Sequence, residues 1–222
     1  MTQLSVRDNR IEYVGLLKKP VFNLWGEGGA ILGGLYDALS PYHNGLKSFG
    51  SIGDGGSPAD QAVTVDLGWQ AQFRFRFDRI EAHLHTFDDS QLQTFPGVLE
   101  RGAAWLLAQQ PQPAFDSHLV TYRCHGPLVA SNGAAFLATL PTPRLKGLGP
   151  TADAGVILHG ALPSRGTLVH LTLDHSIRIR DGLFVEFQAF LPEGSIDYSV
   201  TLAELRTALD SLLAEIGLEL TA

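Results

Sequence analysis

The chain has 222 residues, a formal net charge of −7, and 45% hydrophobic against 18% charged residues, which excludes wholesale disorder because enough apolar surface is present to offset the entropy lost on folding. Its single cysteine, Cys124, excludes an internal disulfide framework and a thiolate zinc cage. No apolar run reaches the roughly 18–20 residues of a spanning helix, residues 1–10 are polar where a signal peptide is apolar, and the acidic balance, with lysine confined to Lys18, Lys19, Lys47 and Lys146, argues against a phosphate-binding face. The expectation is a cytoplasmic protein with no membrane span and no nucleic-acid partner.

In chain order, the first expected strand is 10–17. The glycines of Gly26-Glu27-Gly28-Gly29 and Gly33-Gly34 follow a strand-like 21–25, the setting of a phosphate loop. Neither a Gly-Lys-Ser/Thr nor a third glycine at position 31 is present, so a plain Gly-rich turn is expected. Residues 31–39 carry helical apolar spacing, and 50–58 is a glycine-rich loop.

Alternation is clearest over 71–87. Phe73, Phe75 and Phe77, then Ile80, Ala82 and Leu84, fall on one face, and Arg74, Arg76, Glu81, His83 and His85 on the other. A two-residue turn at Asp78-Arg79 would pair Phe77 with Ile80, Arg76 with Glu81 and Arg74 with His83. A helix is expected over 95–108, with Thr94 as its cap and Pro96 in its first turn.

The second half opens on a strand at 118–124 and a helical stretch at 134–140, followed by a Pro/Gly-rich loop over 141–150. A strand at 167–180 then turns at Asp181-Gly182, pairing Ile179 with Leu183 and Ile177 with Val185 around a bulge. The last element is a helix at 202–216, striped by Leu202, Leu205, Leu209, Leu212, Leu213 and Ile216, opened by a Thr201/Glu204 capping box and closed by Gly217.

These elements imply an α+β fold: long antiparallel sheet packed against helices, with an internal duplication of a β-α-β-β-β-α unit. The halves would be 1–112 and 113–222, either as two domains or as one continuous domain. The order resembles architectures in which a long antiparallel sheet grips a terminal helix, saddle-shaped duplicated ones included, and architecture alone does not fix function.

Among chemical groups, His83 and His85 lie two apart on a strand and so project from one face, where they could share a metal ion with Glu81, Asp88 or Asp89. His170 and His175 point to opposite faces. His175 shares the parity of Leu173 and Ile177, making it a core histidine or a ligand contact. Cys124 and His125 also face opposite ways, which leaves the thiol in the core. Trp25, Trp69 and Trp105 are aromatic candidates for a pocket wall, Trp105 foremost. No Gly-x-Ser-x-Gly elbow is present.

The function expected is a non-catalytic binding module for an apolar small molecule or a protein partner, with His175 and Trp105 as ligand contacts. The alternative is a metal-dependent hydrolase using His83 and His85, and a divalent metal ion enters only there; otherwise no cofactor is expected. Homo-oligomerisation through strand edges is compatible with either. A cavity between sheet and helix would favour the small molecule, and a filled interior with an exposed apolar edge would favour the partner.

Overall fold

In a computed structural model, the described residues are 1–22, 28–52, 61–109, 115–140, 155–162 and 166–221. Trp25, Gly26 and Glu27, most of the 50–58 loop and all of 141–150 lie outside them. The described elements run β1 (Thr2–Ser5), β2 (Asp8–Leu17), α1 (Gly28–Ala38), β3 (Phe49–Ile52), β4 (Ala62–Asp66), β5 (Ala71–Arg76), β6 (Arg79–His85), α2 (Asp89–Ala108), β7 (Phe115–Gly126), α3 (Gly133–Leu137), β8 (Val156–Leu162), β9 (Thr167–His175), β10 (Leu183–Leu191), α4 (Tyr198–Glu215) and β11 (Leu218–Thr221). Nine strands form one sheet in the order β3-β4-β5-β6-β2-β7-β10-β9-β8, and β1 pairs with β11 in a second, two-stranded sheet. The fold is α+β, with a large antiparallel sheet packed against helices.

The chain divides into two compact units, one of Ile11–Val120 with Phe190–Ala203, the other of Met1–Arg10, Thr121–Ala189 and Glu204–Ala222. In the first, the β5–β6 hairpin keeps the expected faces and changes register. Phe75 pairs with Ile80, Phe73 with Ala82 and Arg74 with Glu81, so the turn is Phe77-Asp78 rather than Asp78-Arg79. Phe77 leaves the ladder because its ring stacks on Phe22 at 5.2 Å and its carbonyl accepts from the Val21 amide at 2.7 Å. Each residue's partner moves by two, which preserves the faces.

The apolar face of this hairpin is covered by α2 through Phe95, Val98, Leu99, Gly102, Ala103 and Leu106. The helix starts earlier than Thr94: Asp88 and Gln91 form the capping box, the Asp88 carboxylate accepting from the Gln91 amide and the Gln91 side chain from the Asp88 amide. Thr94 instead donates its hydroxyl to the Ser90 carbonyl at 3.0 Å. Pro96 therefore sits inside the helix, where it withholds one backbone hydrogen bond.

In the second unit, β8 pairs antiparallel with β9, His159 opposite His170 and Leu158 opposite Leu171. β9 stops at His175, short of the expected 180. The Ser176 hydroxyl oxygen accepts from the amides of Arg178 and Ile179 at 3.2 and 2.9 Å, which curls the chain into a loop, and Asp181 takes a left-handed φ of 57°. The bulged pairing of Ile177 and Ile179 is thereby corrected; Ile177 is 94% exposed.

The β1–β11 pair was not expected. It brings Thr2 beside Leu218 and Leu4 beside Leu220 in parallel, with Leu4 and Leu218 fully buried. The leucine stripe of α4 buries Leu202, Leu205, Leu209 and Leu213. The helix begins earlier than expected: the Asp197 carboxylate accepts from the Val200 amide at 2.9 Å, so Thr201 lies inside the helix and is buried. Gly217, at φ 77°, ends it as expected.

Candidate functional site

His83 and His85 do share a face, with ring centroids 6.5 Å apart. The carboxylate next to them is committed elsewhere. Glu81, 8% exposed, is held by Arg74 at 3.1 Å, Arg76 at 3.2 Å and Arg79 at 2.6 Å. Burial pushes its carboxyl up, but the Arg79 hydrogen bond and the three guanidinium charges outweigh that and hold it below the usual range. His83 Nδ1 lies 3.4 Å from Glu12, and its Nε2 is 4.0 Å from Glu81. No group of three His, Cys, Asp or Glu placed to hold a metal ion occurs among the described residues.

Trp105 lies edge-on to Phe75 at 5.4 Å, and a Cβ at Gly34 would meet its indole nitrogen at 2.0 Å. It therefore fills the space between α1, α2 and β5. His175 ends β9 half-buried rather than deep in the core, its amide donating to Asp174 at 2.7 Å. Cys124 is fully buried, and burial pushes its thiol up to about 12, a poor nucleophile as the strand parity implied.

Two buried histidines were not picked out as network members. His118, 2% exposed, donates from Nε2 to the Gly194 carbonyl at 2.8 Å, because a carbonyl can only accept, so its Nδ1 accepts from the Tyr13 hydroxyl at 2.7 Å. Tyr13 in turn accepts from the Tyr198 hydroxyl at 3.1 Å. His125 Nδ1 accepts from the Ser176 hydroxyl at 2.9 Å, since that oxygen's lone pairs serve two amides. Burial lowers both imidazoles, the Gly194 carbonyl opposing it at His118 and the Arg178 charge adding to it at His125.

These shifts set a pH dependence. Both folded values lie below the unfolded one, so the unfolded chain takes up protons first. The stabilisation is complete above the ordinary histidine value and is lost as pH falls from there through the lowered folded values. Thermal unfolding should therefore show a lower Tm at about pH 5.5 than at about pH 7.5, with a shallower fall in His118→Gln. Equal slopes in the two proteins would refute the assignment.

The remaining feature is an edge. β8 ends the nine-stranded sheet and is exposed from Ile157 through Ala161 on both faces, with Ile157 59% and Leu158 43% exposed. Its sequence, VILHGAL, carries no Asp, Glu, Lys or Arg. Edge strands are ordinarily blunted by charge, proline or shortness. The opposite edge, β3, is only four residues long, whereas β8 has seven. The apolar run VILHGAL was the available sequence signal.

No helix among the described residues is long and apolar enough to cross a membrane. No protein-family model matches the chain, and no curated protein does. Among solved structures it is similar to a rolling circle replication initiator protein from Geobacillus stearothermophilus, with 8% identity and a TM-score of 0.32 over 95% of this chain and 84% of that one. Neither fold nor function is transferred at that level of likeness.

Proposed function

We propose that the chain is a non-catalytic binding module whose partner is a protein received by strand addition on β8, and that a second copy of the chain is that partner. The observation that carries this is the open, uncharged edge of β8. Each unit is filled by fully buried side chains such as Phe73, Phe75 and Leu35 in one and Leu173, Val185 and Leu218 in the other, which favours a partner over a ligand held inside.

The sheet order supports the reading. Taken inward from β4 and from β8, the sheet runs β4-β5-β6-β2 and β8-β9-β10-β7, the order a duplicated β-α-β-β-β-α unit would give. In the first run β3 lies outside β4; beyond β8 no strand follows among the described residues. A strand added there would take the place that β3 has on β4.

A second copy fits because the edge is self-complementary. Antiparallel pairing about His159 sets Ile157 against Ala161 and Leu158 against Gly160, and no like charges meet. Sedimentation velocity is expected to show a dimer with Kd on the order of 10 µM, and Ile157→Lys/Leu158→Lys is expected to be monomeric with unchanged Tm, since both side chains are already exposed. A wild type that stays monomeric at about 100 µM, or a variant that dimerises equally, would sink the self-pairing.

A further inference from the structure

We propose that the surface groove between residues 41–44, Leu67–Trp69 and the first turns of α2 binds a neutral saccharide. Its volume is about 550 Å³, within the range of small-molecule sites, and its lining contains no Asp, Glu, Lys or Arg. All of it belongs to the unit of Ile11–Val120 with Phe190–Ala203, away from the residues of β8.

The walls are fixed before any ligand arrives. His43 donates from Nε2 to the Tyr36 carbonyl at 2.8 Å and accepts at Nδ1 from the Gly45 amide at 2.9 Å, so it is neutral and has no nitrogen to spare. Its ring also packs on Tyr36 and Phe49, at 4.5 and 5.1 Å. The Asn44 amide donates to Ser48 Oγ at 3.0 Å, which holds the next turn of the loop. Gln91 spends its carbonyl oxygen on the Asp88 amide at 3.0 Å, leaving its NH₂ for the groove.

Two glycines make the room. A Cβ at Gly97 would come within 2.4 Å of the Tyr42 hydroxyl, and one at Gly68 within 2.7 Å of the Asn44 amide nitrogen. Side chains at either position would push these polar ends away. As it stands, Tyr42, Asn44 and Trp69 line the groove, and among the described residues the Tyr42 hydroxyl, the Asn44 side-chain amide and the Trp69 indole N–H take part in no hydrogen bond.

Aromatic faces beside uncommitted donors and acceptors, with no charge, select the ligand class. A charged ligand would find no counter-charge in the lining, and a purely apolar one would leave the tyrosine, amide and indole to water. A sugar ring meets both demands: its C–H face covers indole or phenol, and its hydroxyls pair with the amides. The groove is open to solvent, which suits one or two rings of a longer chain.

The test is ¹H–¹⁵N NMR of the full chain, reading the Trp69 indole signal, assigned by loss in Trp69→Phe. Maltotriose, cellotriose and triacetylchitotriose are the probes, and trigalacturonate the anionic control. At least one neutral trisaccharide should shift the signal saturably with a Kd near or below about 1 mM, and Asn44→Ala, at an exposed position, should weaken it about tenfold. No shift with any neutral trisaccharide at about 10 mM, equal binding of trigalacturonate, or unchanged affinity in Asn44→Ala would overturn the proposal.

Discussion

Glu81→Ala is expected to destabilise the protein by about 3–5 kcal/mol, the cost of leaving half-buried cations without their counter-charge. The Glu81 side chain is 10% exposed and receives Arg74, Arg76 and Arg79, whose side chains are 23%, 14% and 29% exposed. Some of these contacts have other outlets: Arg74 also reaches Gln72 and Arg79 also reaches Asp78, each at 3.0 Å. For a chain of this length the loss corresponds to a fall in Tm of roughly 10 °C. A double-mutant cycle checks the cause. Arg79→Ala should cost clearly less in Glu81→Ala than in wild type, and additive losses would show that the ion pairs are not the source. The carboxyl is held below its usual range, so its contribution is complete above the unfolded carboxylate value and disappears as pH falls through the lowered folded one.

Gly126→Ala is the second large effect, about 3 kcal/mol, because the added methyl meets backbone. A Cβ there would lie 2.1 Å from the Ser5 carbonyl oxygen. That oxygen cannot retreat cheaply: the Ser5 amide donates to Pro127 at 3.0 Å and the Arg7 amide to His125 at 2.9 Å, on either side of the contact. The methyl would therefore loosen the β1–β11 pair from the end of β7, and exchange of the Val6 amide, which donates to the Thr221 carbonyl at 2.8 Å, should accelerate with the loss of stability. Gly33→Ala is the control. In the exposed face of α1 nothing lies within 4 Å of its Cβ, and the helix should gain about 0.5–1 kcal/mol. Equal effects at the two positions would mean that glycine flexibility, not the contact with Ser5, governs the first.

What could be read from the sequence divides along the range of the interactions. The phenylalanine alternation of β5 and the leucine stripe of α4 are local periodicities, and the structure has both, because a pleat and a helical turn are set by neighbouring residues. The hairpin register was not local: Phe77 leaves the ladder for Phe22, far away in sequence. The start of α4 had two cap-capable residues, Asp197 and Thr201, and the helix includes Tyr198, whose hydroxyl bonds to that of Tyr13. Pairing of β1 with β11 left only Leu4, Leu218 and Leu220 as apolar marks in two short segments, too few to show a period.

The candidate sites follow the same division. His83 and His85 share a face as the strand period requires, but three arginines from the same hairpin surround the carboxylate beside them, and charge pairing of that kind has no fixed spacing. The His118 network joins β2, β7, the segment after β10 and α4 through single residues, which no motif describes. The β8 edge was present as an uncharged apolar run; its exposure depends on where the sheet ends, a property of topology rather than of the run itself.

The most direct test of strand addition at β8 is amide hydrogen exchange measured at two protein concentrations, about 1 µM and about 100 µM, spanning the expected Kd. Self-pairing predicts that amides of β8 exchange more slowly at the higher concentration, while those of β3, at the opposite end of the sheet, do not change. Exchange along β8 that is independent of concentration would contradict it.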